Sequence, residues 1–237
     1  MTSAPSRSTA RLLAGGIGLA AGAYATYVGV TWYRYGRIVP AGPDEEDPLL
    51  DRFMQEYEVV ERHHIRVGAP ASTTLAVASD LNLFDLPLVR GIVKGRELIL
   101  GATPVDRPGP RRMLAEVQSL GWVVLAEAPG REFVVGAVTR PWEANVTFRS
   151  IPPGDFAAFA EPDYVKIAWT LRADPLGANE SVFRTETRAI PTDAAARAKF
   201  RRYWSFLSPG IALIRLMSLR PVKSEAERRA RMAGASW

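Results

Sequence analysis

The sequence predicts an α+β protein in which antiparallel strands precede one long C-terminal helix, with a single transmembrane helix at the N-terminus. Three observations indicate this class. An uncharged segment occupies residues 12–33, alternating strands are joined by turn sequences, and an apolar stripe with helical spacing follows the last strand. The chain has 237 residues, of which 47% are hydrophobic and 23% charged. This ordinary globular composition excludes a fully disordered chain.

The composition also excludes several kinds of site and partner. Cysteine is absent, and His63 and His64 are the two histidines of the sequence. Thiolate metal sites, cysteine nucleophiles and multi-histidine metal centres are therefore excluded, and no metal ion or other cofactor is expected. The net charge of +5 is unevenly distributed, because the first 37 residues hold four arginines and no acidic residue. The basic pI therefore does not indicate nucleic-acid binding.

The uncharged segment, residues 12–33, predicts a membrane anchor. It has 22 residues, and as an α-helix it is about 33 Å long, enough to cross a hydrocarbon core of roughly 30 Å. Trp32 and Tyr33 at its end belong to the residue types enriched at membrane interfaces. We therefore expect a single-pass protein of the cell membrane, with the lipid bilayer as a partner and residues 1–37 as the anchor. Arginines flank both ends, so the side that holds the main domain stays undecided.

The same segment also fits other interpretations. A cleaved signal peptide could end at Ala23-Tyr24-Ala25, but the apolar run continues to Trp32 and favours a retained anchor. Residues 16–21 fit the dinucleotide-binding pattern G-x-G-x-x-A, which we reject because no strand precedes it and no acidic residue follows before Asp44. Small residues at four-residue spacing either allow a homo-oligomer through this helix or reflect low-bulk composition alone: Ala14, Gly18 and Gly22.

The rest of the chain divides into a linker, one folded domain and a tail. Residues 38–50 hold three prolines and four acidic residues, which predicts an extended polar linker. The periodic segments that follow predict a domain over residues 51–221. The final segment, residues 222–237, is predicted to be a basic tail.

The first half of the domain predicts one strand followed by helices. Residues 57–67 alternate, with Val59, Ile65 and Val67 on the same face as His63 and charged residues opposite. The neighbouring histidine falls on the charged face. Because adjacent strand residues point to opposite sides, the two histidines are not expected to bind one metal ion. Helices are expected over residues 70–83, 87–100 and 111–119.

The second half predicts antiparallel strands and a closing helix. Strands are expected where alternating stretches are bounded by turn sequences: residues 122–127, 132–140, 145–151, 164–172 and 180–190. Thr192 or Asp193 then caps a long helix. Its apolar stripe contains these residues: Ala196, Phe200, Tyr203, Trp204, Leu207, Ile211 and Ile214. Pro209-Gly210 is expected to kink or briefly break this helix.

Several stretches carry a resemblance to a known superfamily: residues 67–71, 131–138 and 183–189, and Ala196-Arg197 with Phe200, Tyr203 and Trp204. Together with the element order, they resemble the helix-grip START-like, or SRPBCC, superfamily over residues 55–220, and in detail its uncharacterised actinobacterial members. The resemblance implies a curved antiparallel sheet around the last helix, with an apolar cavity between them. Superfamily members carry lipids, sterols, hormones or polyketides, or act as cyclases, dehydratases or oxygenase subunits. They share no universal catalytic motif, so the resemblance assigns no catalytic residue here.

Three functions follow from these expectations. The first is a membrane-anchored domain that binds a hydrophobic small molecule or lipid in the cavity. The second is a START-like enzyme of the cyclase or dehydratase type acting on an apolar substrate, and the third is a structural or interaction domain with a filled core. Binding is favoured over catalysis because no nucleophile, phosphate-binding or metalloprotease motif occurs.

Strand parity predicts the residues that would line such a cavity. The candidate ligand-binding residues are Val59, His63, Ile65, Val165, Ile167, Trp169 and Phe183. Acid–base candidates are His63 with Glu61, two residues apart on one strand face, and Arg140 with Glu143 beside Trp142. For all of these residues the alternative is ordinary hydrogen bonding within a closed core.

Overall fold

The computed structural model describes residues 7–82, 86–103 and 112–234. The helices are α1 (Arg7–Arg34), α2 (Pro48–Asp51), α3 (Ala71–Asp80), α4 (Pro87–Leu100), α5 (Met113–Ser119), α6 (Pro153–Phe156) and α7 (Ala194–Gly234), with a 3₁₀ turn at Pro43–Glu45. The strands are β1 (Val59–Val67), β2 (Val123–Ala128), β3 (Glu132–Thr139), β4 (Phe148–Arg149), β5 (Val165–Gly177) and β6 (Glu180–Pro191).

The strands form one antiparallel sheet in the order β1-β6-β5-β3-β2, and the short β4 pairs with the end of β3. Helix α7 packs on β1 and β6 and covers one side of the sheet, which we call the inner face. The opposite side is the outer face. The predicted α+β class, with an antiparallel sheet and a long C-terminal helix, is therefore confirmed.

The inner face carries two apolar groups along α7. At one end, Val59 and Val165 pack with Phe200 and Trp204 of the first half of α7. At the other end, the sheet and helix α3 pack against the second half of α7 through a larger group, which includes Val67, Leu75, Val135, Trp169, Phe183, Leu219, Val222 and Ala226. Because burial of apolar area drives folding, these two groups fix the position of the helix on the sheet.

Helix α7 starts where the sequence predicts and ends later. The Ala196 N–H donates to Asp193 Oδ1 over 2.7 Å, so Asp193 caps the helix. At Pro209-Gly210, where a kink or a brief break was expected, there is no break, since the helix is continuous to Gly234. The segment predicted as a basic tail is therefore helical. Three buried side chains at helical spacing hold this part of the helix against the sheet and α3: Leu219, Val222 and Ala226.

The linker differs from its prediction at its C-terminal end. Residues 38–50 were expected to be extended and polar, but α2 forms from Pro48 and is capped by Asp47, whose Oδ1 accepts a hydrogen bond of 2.8 Å from the Leu50 N–H. Leu50 is fully buried on the outer face. It packs there with Phe53, Met54, Val134, Val138, Phe156 and Ala168. This segment is therefore part of the folded domain.

Helix α1 lies along α7 rather than apart from the domain. The Tyr24 hydroxyl donates to the Phe206 carbonyl over 2.6 Å, and the Arg201 guanidinium donates to the Trp32 carbonyl over 2.8 Å. Arg201 also lies over the Trp32 ring, 4.3 Å from its centroid. Among the described residues, no helix combines the length and the apolarity needed to cross a membrane. The structure thus does not support the predicted transmembrane helix.

Candidate ligand-binding site

Four polar residues lie in the middle of the inner face, between its two apolar groups. Glu61 and His63 are on β1, and Thr187 and Thr185 stand directly opposite them on β6. All four share the inner face because each lies an even number of positions from Val59 or Phe183 along its own strand. We call these four residues the inner polar cluster.

The cluster contains three buried atoms that have no hydrogen-bond partner among the described residues: His63 Nε2, Thr185 Oγ1 and Thr187 Oγ1. The two threonines are only 3% and 9% exposed. A buried polar atom without a partner costs about 1–3 kcal/mol, so folded proteins rarely leave one unpaired. Three such atoms on neighbouring strands mark a place where an ordered water or a ligand can supply the hydrogen bonds.

Glu61 and His63 form a loose pair within the cluster. His63 Nε2 lies 3.5 Å from Glu61 Oε2, which is within ion-pair distance, but the atoms do not meet the geometry of a hydrogen bond. Their side chains are 19% and 25% exposed, respectively. A carboxylate and an imidazole in this arrangement can orient a ligand or move a proton.

Arg215 of α7 faces the same region from the helix side. Its guanidinium carbon lies 4.8 Å from the centroid of the Trp169 ring, and Trp169 is paired with Thr187 across β5 and β6. Burial lowers the pKa of Arg215 to about 10, while the charge of Glu61 acts in the opposite direction. Arg215 forms no side-chain hydrogen bond or ion pair with the described residues. The guanidinium therefore adds charged donors beside the cluster.

The walls around the cluster are apolar and are not fully closed. Ile65 and Ile167 lie on the inner face, yet both keep some accessible surface. Side chains packed directly between a sheet and a helix would be fully buried. The two isoleucines therefore offer partly accessible apolar surface beside the cluster.

The structure places all seven sequence-predicted ligand-binding residues on the inner face. Val59, Val165 and Ile167 belong to the apolar group at Phe200. The remaining apolar residues of the set, Ile65, Trp169 and Phe183, belong to the group at Leu219, and His63 lies between the two groups. Val59, Val165, Trp169 and Phe183 are buried core residues. Of the seven, His63, Ile65, Ile167 and Trp169 lie nearest the cluster and its accessible surface.

The second acid–base pair predicted from the sequence lies elsewhere. Arg140 follows the end of β3, where its Nε donates to the Asp163 carbonyl over 3.0 Å and its Nη1 lies 3.6 Å from the Glu143 carboxylate. Trp142 stands beside this group, with the Lys199 ammonium 5.4 Å from its ring centroid. The structure thus does not bring this pair into the inner polar cluster.

Three residues of the site were missed at the level of sequence. Thr185 and Thr187 have the parity of Phe183, which could have placed them on the inner face. Arg215 follows Ile211 by four residues and so continues the apolar stripe of the closing helix. A basic residue on an otherwise apolar helix stripe is the signal that could have identified it.

The outer face carries charged side chains that are paired with one another. The pairs are Arg62–Glu186 at 3.0 Å, Arg188–Glu186 at 2.7 Å, Arg172–Asp174 at 2.8 Å and Arg184–Asp174 at 2.9 Å. An open hollow of about 420 Å³ lies between α2 and the β2–β3 hairpin, and Glu132 and Arg131 are among its lining residues. Since these groups are on the outer face, the sheet separates them from the inner polar cluster.

Comparisons with known proteins find solved structures of low similarity to this chain. No protein-family model and no curated protein sequence matches the chain. The chain is similar to the Zhui aromatase/cyclase of Streptomyces sp. R1128, at 17% identity over 74% of this chain and 98% of that chain, with a TM-score of 0.25. It is also similar to norcoclaurine synthase of Thalictrum flavum, at 14% identity over 76% of this chain and 93% of that chain, with a TM-score of 0.28. At these values the similarity carries no argument about fold or activity.

Proposed function

We propose that this domain binds a mainly apolar small molecule between the sheet and α7, with a polar group of that molecule held at the inner polar cluster. The observation that carries the proposal is the set of three unpaired buried atoms on His63, Thr185 and Thr187. Apolar walls with a few convergent polar groups are typical of small-molecule sites. A bound molecule would gain apolar contact and would also satisfy atoms that the fold leaves unpaired.

The proposal predicts that removing the two threonine hydroxyls weakens ligand binding without lowering the stability of the protein. Replacing Thr185 and Thr187 with valine removes two hydroxyls that have no partner among the described residues, so the melting temperature should stay the same or rise. Binding should weaken about tenfold for each ligand hydrogen bond of roughly 1.4 kcal/mol that is lost. The measurements are thermal unfolding and displacement of a fluorescent fatty acid, with native mass spectrometry to detect a co-purified molecule.

Thr170→Val is the matched control. Thr170 is 1% exposed on the outer face of the same sheet, and its hydroxyl accepts a hydrogen bond of 3.3 Å from the Glu186 N–H. Its removal should lower stability and leave binding unchanged. In addition, Ile167→Trp should fill the space beside the cluster and reduce uptake. Equal binding by wild type, the Thr185/Thr187 variant and Ile167→Trp would contradict the proposal.

A second candidate is an enzyme that acts on an apolar substrate by acid–base chemistry. The Glu61–His63 pair at 3.5 Å favours it, because a carboxylate beside an imidazole is a common arrangement for proton transfer. The two candidates separate once a ligand is identified by mass. Conversion of that ligand by wild type, abolished in Glu61→Gln and His63→Ala, would favour the enzyme, whereas its recovery unchanged would favour binding alone.

We also propose that the N-terminal segment attaches the protein to a membrane. The uncharged run over residues 12–33 supports this, as do the exposed apolar side chains of Leu19, Val30 and Tyr33 on α1. Full-length protein should therefore stay in the membrane fraction through carbonate extraction. Its release as intact soluble protein would contradict membrane attachment and would leave the binding proposal untouched.

A further inference from the structure

We infer that the polar group of the bound molecule is a carboxylate held by Arg215, so that the ligand class is an amphipathic carboxylic acid. This inference rests on the proposed function and names the chemistry of its ligand. It is carried by the position of Arg215 over Trp169 and by the unpaired atoms of the inner polar cluster.

The guanidinium of Arg215 contacts the Trp169 ring, but it has no hydrogen-bond or ion-pair partner among the described residues. Its carbon lies 4.8 Å from the centroid of the Trp169 ring, a distance at which the cation and the ring attract each other. Its side chain forms no hydrogen bond or ion pair with the described residues. An arginine offers five N–H donors in a planar fork that matches the two oxygens of a carboxylate. Stacking on the ring leaves the edge of this fork free to bind such a group.

The neighbouring hydroxyls supply the remaining hydrogen bonds that a carboxylate accepts. An ionised carboxylate has about four lone-pair positions and no donor. The arginine fork fills two of these positions, and the hydroxyls of Thr185 and Thr187, which have no partner in the described structure, can donate to the other two. The four donors therefore match the four lone-pair positions of the carboxylate. The two hydroxyls are neutral, so they bind the carboxylate oxygens without adding a charge to the site.

The charges around the cluster favour a single negative charge on the ligand. Glu61 is the charged group that acts on Arg215 among the described residues, and it lies beyond ion-pair distance from that side chain. One carboxylate would neutralise Arg215 in a partly buried site, where charge pairing is strong. A doubly charged group such as a phosphate monoester would place a second negative charge near the Glu61 carboxylate, which repels it. The apolar surface of Ile65 and Ile167 then suits the hydrocarbon part of the ligand.

Calorimetric titration of the full chain in phosphatidylcholine nanodiscs tests the inference, with empty nanodiscs as the blank and decanoate, 1-decanol and decyl phosphate as probes. Wild type should bind decanoate at least tenfold more tightly than either of the other two. Arg215→Gln should weaken decanoate binding tenfold or more and change 1-decanol binding less than twofold. Arg215→Lys, which keeps the charge but not the fork, should retain part of the preference for decanoate.

Arg220→Gln is the matched control, because Arg220 is an exposed arginine on the same helix. It should bind all three probes as wild type does. Equal binding of decanoate and 1-decanol by wild type would overturn the carboxylate inference and leave the proposed function standing. A decanoate preference that survives in Arg215→Gln would also overturn it. If wild type binds none of the probes and carries no co-purified molecule, the proposed function itself fails.

Discussion

Phe200→Ala is expected to lower the free energy of unfolding by roughly 3–5 kcal/mol, the usual cost of truncating a buried phenylalanine. Phe200 is 2% exposed. Its ring centroid lies 6.1 Å from that of Tyr35 and 5.9 Å from that of Trp204, and the side chain belongs to the same apolar group as Val165. Removing the ring would leave a cavity at the place where the first half of α7 meets the sheet.

Chemical denaturation measures this loss, and Phe206→Ala provides the comparison. Phe206 is on the same helix but is 47% exposed, so its truncation should cost less than about 1 kcal/mol. Its backbone carbonyl, which accepts from Tyr24, is unchanged by the substitution. Equal stabilities of Phe200→Ala and wild type would contradict the packing of α7 against the inner face.

The elements that the sequence predicts well are those whose burial pattern is local. In β1, β5 and β6 the alternation of side chains agrees with the two faces of the sheet, and the Asp193 cap marks the start of α7. The helical structure of residues 222–234 was missed because this segment was interpreted only as a basic tail. Here contacts with residues far away in the chain hold the segment after Pro221 in place, and such contacts have no local signature.

The linker shows the same limit. Its prolines and acidic residues suggest an extended segment, but Leu50 fits between Phe53, Val134 and Phe156 on the outer face. That fit depends on the surface which the sheet presents, and no property of residues 38–50 reveals it. Tertiary packing therefore overrides local composition there.

For the site, the alternation of strand residues predicted which side chains lie on the inner face, but it did not predict which polar groups meet there. It placed His63 and Trp169 on the face that α7 covers. It did not bring Arg215 over Trp169, because that contact depends on how α7 is rotated about its own axis on the sheet. Whether the hydroxyls of Thr185 and Thr187 have partners likewise depends on every neighbour in space.

Glu132 on the outer face gives the second large expected effect. The side chain is buried beneath the capping residue of α2, with Arg172 paired to it across the β3–β5 ladder. The pKa of Glu132 is raised from 4.5 to about 8, mainly by burial and also by the charge and hydrogen bond of Asp47 and the charge of Asp174, while Arg172 acts in the opposite direction. The folded protein therefore holds a proton on Glu132 that the unfolded chain releases near pH 4.5.

Because the folded-state pKa of Glu132 is the higher one, the contribution of this residue to stability should be greatest below about pH 4.5 and should decline up to about pH 8. Each pKa unit corresponds to about 1.4 kcal/mol, so the decline is on the order of several kcal/mol.

Glu132→Gln keeps a neutral donor for Asp47 and removes the titration of residue 132, so the free energy of unfolding of this variant should change much less over this pH range. Urea denaturation at several pH values measures the slopes, and Glu127→Gln, at an exposed position of the same hairpin, should keep the wild-type slope. The same slope in Glu132→Gln as in wild type would show that the proton is held elsewhere.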